Sequence, residues 1–277
     1  MKKRLFRMLA ILIAPTAGVA DEPATEPLVV ADDAYQRVFE DRLGPHEPVY
    51  FIYGNEPQAA KFQFSFKYRL LGKTARLWRE VPALRGLFFG FTQRSLWDIR
   101  GNSSPFYDTS YMPELMIETQ EFLNRDSTKR FHWLGYQFGL RHESNGRSGE
   151  SSRSLNRVYV RPGVSFGRIG GWNVVLAPRI FAYVGDLENN PDIEDYRGHV
   201  EFMAVVAHGD GPSLMLTGRA GRGRGSFQAD LTLPVRVDYL ADFATYFLFQ
   251  YWDGYGESLL DYDRRSTAFR AGFSLVR

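Results

Sequence analysis

The chain has 277 residues, no Cys, and 34 Lys and Arg against 32 Asp and Glu. A disulfide framework and thiolate chemistry are therefore excluded, and so balanced a charge leaves no electrostatic footprint for nucleic acid. With 22 Phe, 15 Tyr and 5 Trp beside a mean hydropathy below zero, the composition points to a transmembrane β-barrel, in which only outward positions must be apolar. A soluble lipid-binding β-sandwich that buries its aromatic faces is the alternative.

Residues 1–20 read as a secretory signal: Lys2, Lys3, Arg4 and Arg7 precede a short apolar run and the small residues Gly18-Val-Ala20. The run is shorter than the ~20 residues that a membrane-spanning helix needs. Cleavage after Ala20 would remove those four cations and no acid, turning a formal charge of +2 into about −2. Residues 21–47 have no clear period and read as an N-terminal arm, with His46 as a solvated turn histidine. The expected barrel spans residues 48–277.

Twelve strands are expected, at 49–53, 61–69, 87–97, 111–118, 131–144, 152–166, 173–184, 196–207, 213–220, 225–235, 242–252 and 266–276. In the second, Phe62, Phe64, Phe66 and Tyr68 alternate with Lys61, Gln63, Ser65, Lys67 and Arg69, which suits lipid on one side and water on the other. Pro178 and Pro234 fall inside expected strands and weaken them. Gln93 falls on an apolar face. An unpartnered amide in hydrocarbon is costly, so Gln93 marks either a protein contact or the interfacial zone.

The polar exceptions of interest lie on the two central strands. Counted by twos, Leu134, Tyr136, Phe138, Leu140, His142 and Ser144 share one face, while Asn156, Val158, Val160, Val164 and Phe166 form a second stripe. A histidine and a serine thus continue an oily stripe, and the returning strand would bring Asn156 beside His142. Histidine can take the proton of a serine nucleophile, and an Asn side-chain oxygen can hold the imidazole in the needed tautomer. Spacing alone leaves a packing role for these residues open.

His142-Glu-Ser-Asn-Gly-Arg-Ser148 and Ser152-Arg-Ser-Leu-Asn-Arg157 resemble the outer membrane phospholipase A family. The likeness extends to Thr92-Gln93, Ser103-Ser-Pro-Phe106 with Tyr111, Asn189-Asn-Pro-Asp-Ile193 and Gly254 to Tyr262. The resemblance implies a twelve-stranded outer-membrane barrel with its site on the exterior. Phospholipid acyl esters would be hydrolysed there by Ser144 as nucleophile, His142 as base and Asn156 as orienting group, with the Gly146 N–H facing the oxyanion. It also implies a calcium-dependent homodimer. The Ca2+ ligands would be main-chain oxygen at Arg147, the Ser152 side chain and Ser103 of a second subunit, and Gln93 would lie in the dimer interface. Gly149 stands where the family has an aspartate, and neighbouring Glu150 is the candidate replacement. A lipid A deacylase, which would pair His-x-Ser with an acidic third residue, and a non-enzymatic pore are the competing readings.

Other chemically suggestive residues have plainer expectations. Gly221-Arg-Gly-Arg-Gly225 reads as a basic loop, and Asp186, Glu188, Asp192, Glu194 and Asp195 as a solvated acidic loop. His199 and His208 read as pore or turn residues, and Glu257 and Asp261 as structural.

Overall fold

The computed structural model describes residues 42–55, 59–119, 129–168, 170–235 and 245–277. The expected signal segment and most of the expected arm lie outside these residues.

Twelve antiparallel strands among the described residues close into a barrel. They are β1 (Val49–Gly54), β2 (Ala60–Arg69), β3 (Leu87–Trp97), β4 (Phe106–Glu118), β5 (Phe131–Ser144), β6 (Ser154–Gly167), β7 in two pieces (Trp172–Leu176 and Arg179–Val184), β8 (Val200–His208), β9 (Ser213–Ala220), β10 (Gly225–Pro234), β11 (Tyr246–Tyr255) and β12 (Arg265–Val276). Each pairs with its neighbour in sequence, and β12 pairs with β1 to close the ring. Closure leaves no unpaired edge, which a membrane would penalise heavily.

Alternation decides the faces. On β2 the Lys61 and Ser65 side chains are buried and Phe64 is exposed; on β4 Met112, Glu114 and Met116 are buried while Tyr111 and Leu115 are exposed. Exposed Phe, Leu and Trp thus cover the outer wall, and the lumen holds polar groups. No helix of the described residues is long and apolar enough to cross a membrane.

Ion pairs line much of the lumen, beside a small apolar cluster of Tyr50, Ile52 and Leu248. Near one end Lys61 and Arg270 converge on Glu257 at 3.0 and 2.6 Å. Midway, Arg179 joins Glu47 at 2.8 Å and Glu201 at 2.9 Å.

Several expectations are corrected. His46 is not a solvated turn residue: its ring is buried in the lumen, 2.7 Å from Glu114 Oε1, because Leu43–Gly44 pairs with Lys67 and Tyr68 of β2 and the chain beyond it turns His46 and Glu47 inward. The segment 42–47 is therefore part of the barrel rather than a free arm. Leu134 leaves the outward stripe, since Trp133 and Gly135 face consecutive residues Val164 and Gly163; this bulge turns Leu134 into the interior at 3% exposure.

Residues 196–199 are not strand. Tyr196 belongs to the short helix Ile193–Arg197, labelled α2, after which Gly198 at φ 59° turns the chain into β8. A second unforeseen helix, α1 (Arg76–Glu80), lies between β2 and β3. Pro178 does interrupt β7, splitting it at residues 177–178, whereas Pro234 is accommodated at the end of β10 opposite Tyr246. The strand expected at 242–252 begins at Tyr246 in the described residues.

Candidate active site

The loops 98–105, 145–153, 185–199, 221–224 and 256–264 share one end of the barrel, and the candidate residues sit at that end of β5 and β6. The register of these strands places His142 opposite Asn156 and Ser144 opposite Ser154. His142 Nδ1 lies 2.8 Å from Asn156 Oδ1. An amide oxygen only accepts, so the contact selects the tautomer with the proton on Nδ1 and leaves Nε2 free to take one. Ser144 follows on the same outward face, also paired with Tyr111 of β4. All three side chains are half-buried, with the exposed Leu140 and Val158 next along their stripes. Among the described residues no hydrogen bond joins Ser144 Oγ to the imidazole; such contacts tighten when substrate is bound.

Loop 145–153 follows Ser144 directly. Buried Asn145 organises it: Nδ2 donates to Ser151 O at 2.9 Å, and Oδ1 accepts from Arg153 N at 3.0 Å and Arg147 N at 3.3 Å. In the sequence the only sign of this role is the place of Asn145 between Ser144 and Gly146. Gly146 then adopts φ +67°, and a Cβ there would stand 3.0 Å from the Tyr111 ring. Glycine satisfies both constraints at this exposed position. Arg147 donates from its side chain to the carbonyls of Phe106 and Tyr107, which ties the loop to β4.

The residues expected to hold calcium are less complete. Arg147, Glu150 and Ser103 are exposed and Ser152 is half-buried. The Arg153 guanidinium donates to the carbonyls of Glu150 and Ser152 at 2.8 and 2.9 Å, and the described residues contain no group of three His, Asp or Glu placed to hold a metal ion. A main-chain oxygen, a hydroxyl and one carboxylate are oxygen donors of the kind calcium takes, but three fall short of the 6–8 it prefers. Gln93 faces outward on β3, its amide 3.3 Å from Ser95 Oγ.

The outer loops form a cap above the lumen. Leu155, Ile193, Tyr196, Leu259 and Tyr262 pack together. Asp108 accepts from Ser258 Oγ and from the N–H groups of Leu259 and Leu260 at 2.8 to 2.9 Å. Asp186, Glu188 and Glu194 stay exposed as expected, whereas Asp192 accepts from the Tyr262 hydroxyl, which together with burial raises that phenol above its ordinary range. Glu257 is structural: burial alone would raise its carboxyl, but Lys61 and Arg270 hold it at about 2. His199 packs against Phe181 and Tyr183, and His208 lies edge-on to Trp172.

The fold is thus a closed antiparallel barrel with an apolar outer wall, and a His–Asn pair lies on that wall beside a serine. Comparison with known proteins gives the family. The phospholipase A1 family model matches residues 31–275, and the chain belongs to this family. Escherichia coli K12 phospholipase A1 is 30% identical over 279 residues, which cover 95% of this chain and 91% of that protein. A relative from Neisseria meningitidis serogroup B is 31% identical over 234 residues, covering 79% of this chain and 55% of its own length.

Among solved structures, E. coli outer membrane phospholipase A superposes with a TM-score of 0.67 at 27% identity, covering 84% of this chain and 91% of that one. It has also been solved as an active-site asparagine-to-alanine mutant. The Salmonella typhi enzyme, solved as a dimer with bound calcium, matches with the same TM-score at 25% identity, covering 85% and 92%. The protein is accordingly a phospholipase of the outer membrane.

Proposed function

We propose that phospholipid acyl esters are cleaved by Ser144, His142 and Asn156 on the outer wall of the barrel, releasing a fatty acid and a lysophospholipid. The observation that carries this reading is the 2.8 Å contact between His142 Nδ1 and Asn156 Oδ1 on the lipid-facing side, with a serine two residues along the same face. A soluble hydrolase would gain nothing from placing these groups on an oily exterior; an enzyme acting on membrane lipid must.

His142 Nε2 takes the Ser144 hydroxyl proton as Oγ attacks the acyl carbonyl. Asn156 Oδ1, accepting from Nδ1–H, holds the ring and stabilises the imidazolium that forms. The Gly146 N–H donates to the developing oxyanion. Collapse of the tetrahedral intermediate expels the lysophospholipid alkoxide, which takes its proton from His142. Water, deprotonated by His142, then attacks the acyl-serine and frees the fatty acid.

Calcium belongs to the proposal as well: Arg147 O, the Ser152 hydroxyl and the Glu150 carboxylate would hold it, with Ser103 of a second copy supplying a further oxygen. Bound there, it would add positive charge beside the oxyanion. The homodimer follows from that shared set, and Gln93 on the outer face of β3 would lie in its interface. Calcium in the dimeric Salmonella structure supports both parts. The uncharged Asn156 disfavours the lipid A deacylase reading, which would need an acidic third residue. The proposed leader at residues 1–20 would carry the chain to the outer membrane.

The test is fatty-acid release from diacyl phospholipid in detergent micelles, with calcium or with chelator. Ser144→Ala is expected to abolish release, and chelator to suppress it in the unmutated protein. Undiminished release by Ser144→Ala sinks the mechanism; release insensitive to chelator sinks the calcium claim alone.

A further inference from the structure

Directly behind the candidate site, on the lumen side of the same strands, lies a cluster of ions that the chemistry does not use. Glu143 sits between His142 and Ser144 and points inward, with a relative exposure of 1%. Its carboxylate accepts from Arg157 at 3.0 Å, from Arg197 at 3.1 Å and from Ser110 Oγ at 3.2 Å, with Arg94 at 3.8 Å. Arg157 is the residue after Asn156. One strand pair therefore carries two cross-links at the same height, His142–Asn156 outside and Glu143–Arg157 inside. Arg197 extends the inner link to the cap, donating to the carbonyls of Gly256 at 2.9 Å and Ser258 at 3.3 Å.

We propose that Glu143 is a positioning residue for the reaction, whose buried ion pairs with Arg157 and Arg197 fix the spacing of the strands that present His142, Ser144 and Asn156. The proposal rests on the catalytic reading above. Arg141 and Arg157 face each other in register, an arrangement that by itself pushes β5 and β6 apart. Without the Glu143 charge, Arg157, Arg197 and Arg94 would be left crowded in a buried space. The backbone that carries both the base and the nucleophile would shift to relieve them.

Glu143→Gln in the full chain, refolded in detergent, tests this with diacyl phospholipid and with an alkyl sulfonyl fluoride that labels an activated serine. Since a misplacement of ~1 Å can cost on the order of 100-fold, kcat is expected to fall by at least about tenfold, with KM within about twofold. Labelling should slow by the same factor. Glu201→Gln removes a lumen carboxylate on β8, a strand that pairs with neither β5 nor β6; Arg179 and Arg219 hold it at 2.9 and 2.6 Å, and its loss should leave kcat unchanged.

If Glu143→Gln does not fold, Glu143→Gln/Arg157→Met removes the orphaned cation; that barrel should fold and stay slow. Unchanged kcat in folded Glu143→Gln, full activity in the double variant, or an equal loss in Glu201→Gln overturns the proposal. Ser144→Ala run in parallel separates the two levels. Full activity there overturns the site itself, whereas an inactive Ser144→Ala beside a fully active Glu143→Gln removes only the positioning role.

Discussion

Asn156 is the least usual member of the proposed site, because its amide orients the imidazole without a charge. A neutral hydrogen bond contributes about 1 kcal/mol, so Asn156→Ala is expected to lower kcat on the order of tenfold, far less than loss of the serine; steady-state turnover of diacyl phospholipid measures the difference. His142, Ser144 and Asn156 were readable from the sequence because a period of two puts polar groups where the stripe calls for oily ones. Glu143, Arg157 and Asn145 were not singled out. Inward positions of a barrel are ordinarily polar, so nothing in their pattern distinguishes a positioning residue from the solvated lining around it. His46 was misread for a related reason: its partner Glu114 is 68 positions away along the chain, and no local pattern reports that contact.

At the scale of elements, β5 and β6 form a long antiparallel ladder, and loop 145–153 follows from its end. Gly146 needs its left-handed backbone and the space beside Tyr111. A side chain in that region costs about 1–2 kcal/mol in backbone strain alone. Gly146→Ala is therefore expected to fold into a barrel of unchanged electrophoretic mobility and to lose at least about tenfold in kcat; a variant of full activity would remove Gly146 from the oxyanion site. Strand positions were legible from alternation, with ends displaced by a few residues: β4 begins at Phe106 rather than residue 111, and β8 at Val200 rather than 196. The bulge at Leu134 and the helix α2 were not legible. Each reverses or interrupts the period of two for reasons of interior packing, which a count along one strand does not contain.

The whole molecule depends on charges enclosed in its lumen and cap. Glu257 is ionised in the folded state down to about pH 2, against an ordinary glutamate value of 4.5. Its folded value is depressed, so its stabilising pairs with Lys61 and Arg270 are fully present above about pH 4.5 and are lost as pH falls from there towards 2. Thermal unfolding in detergent should show Tm falling across that window, and less steeply in Glu257→Gln; equal slopes would show that Glu257 does not govern acid stability.

The central claim is that Ser144, on the lipid-facing wall, is the group that takes the acyl chain. Peptide mapping by mass spectrometry after reaction with an alkyl sulfonyl fluoride tests it most directly. One modified peptide is expected, carrying its label on Ser144 and absent from the Ser144→Ala protein; a label on any other residue that persists in Ser144→Ala with loss of activity would overturn the assignment of the nucleophile.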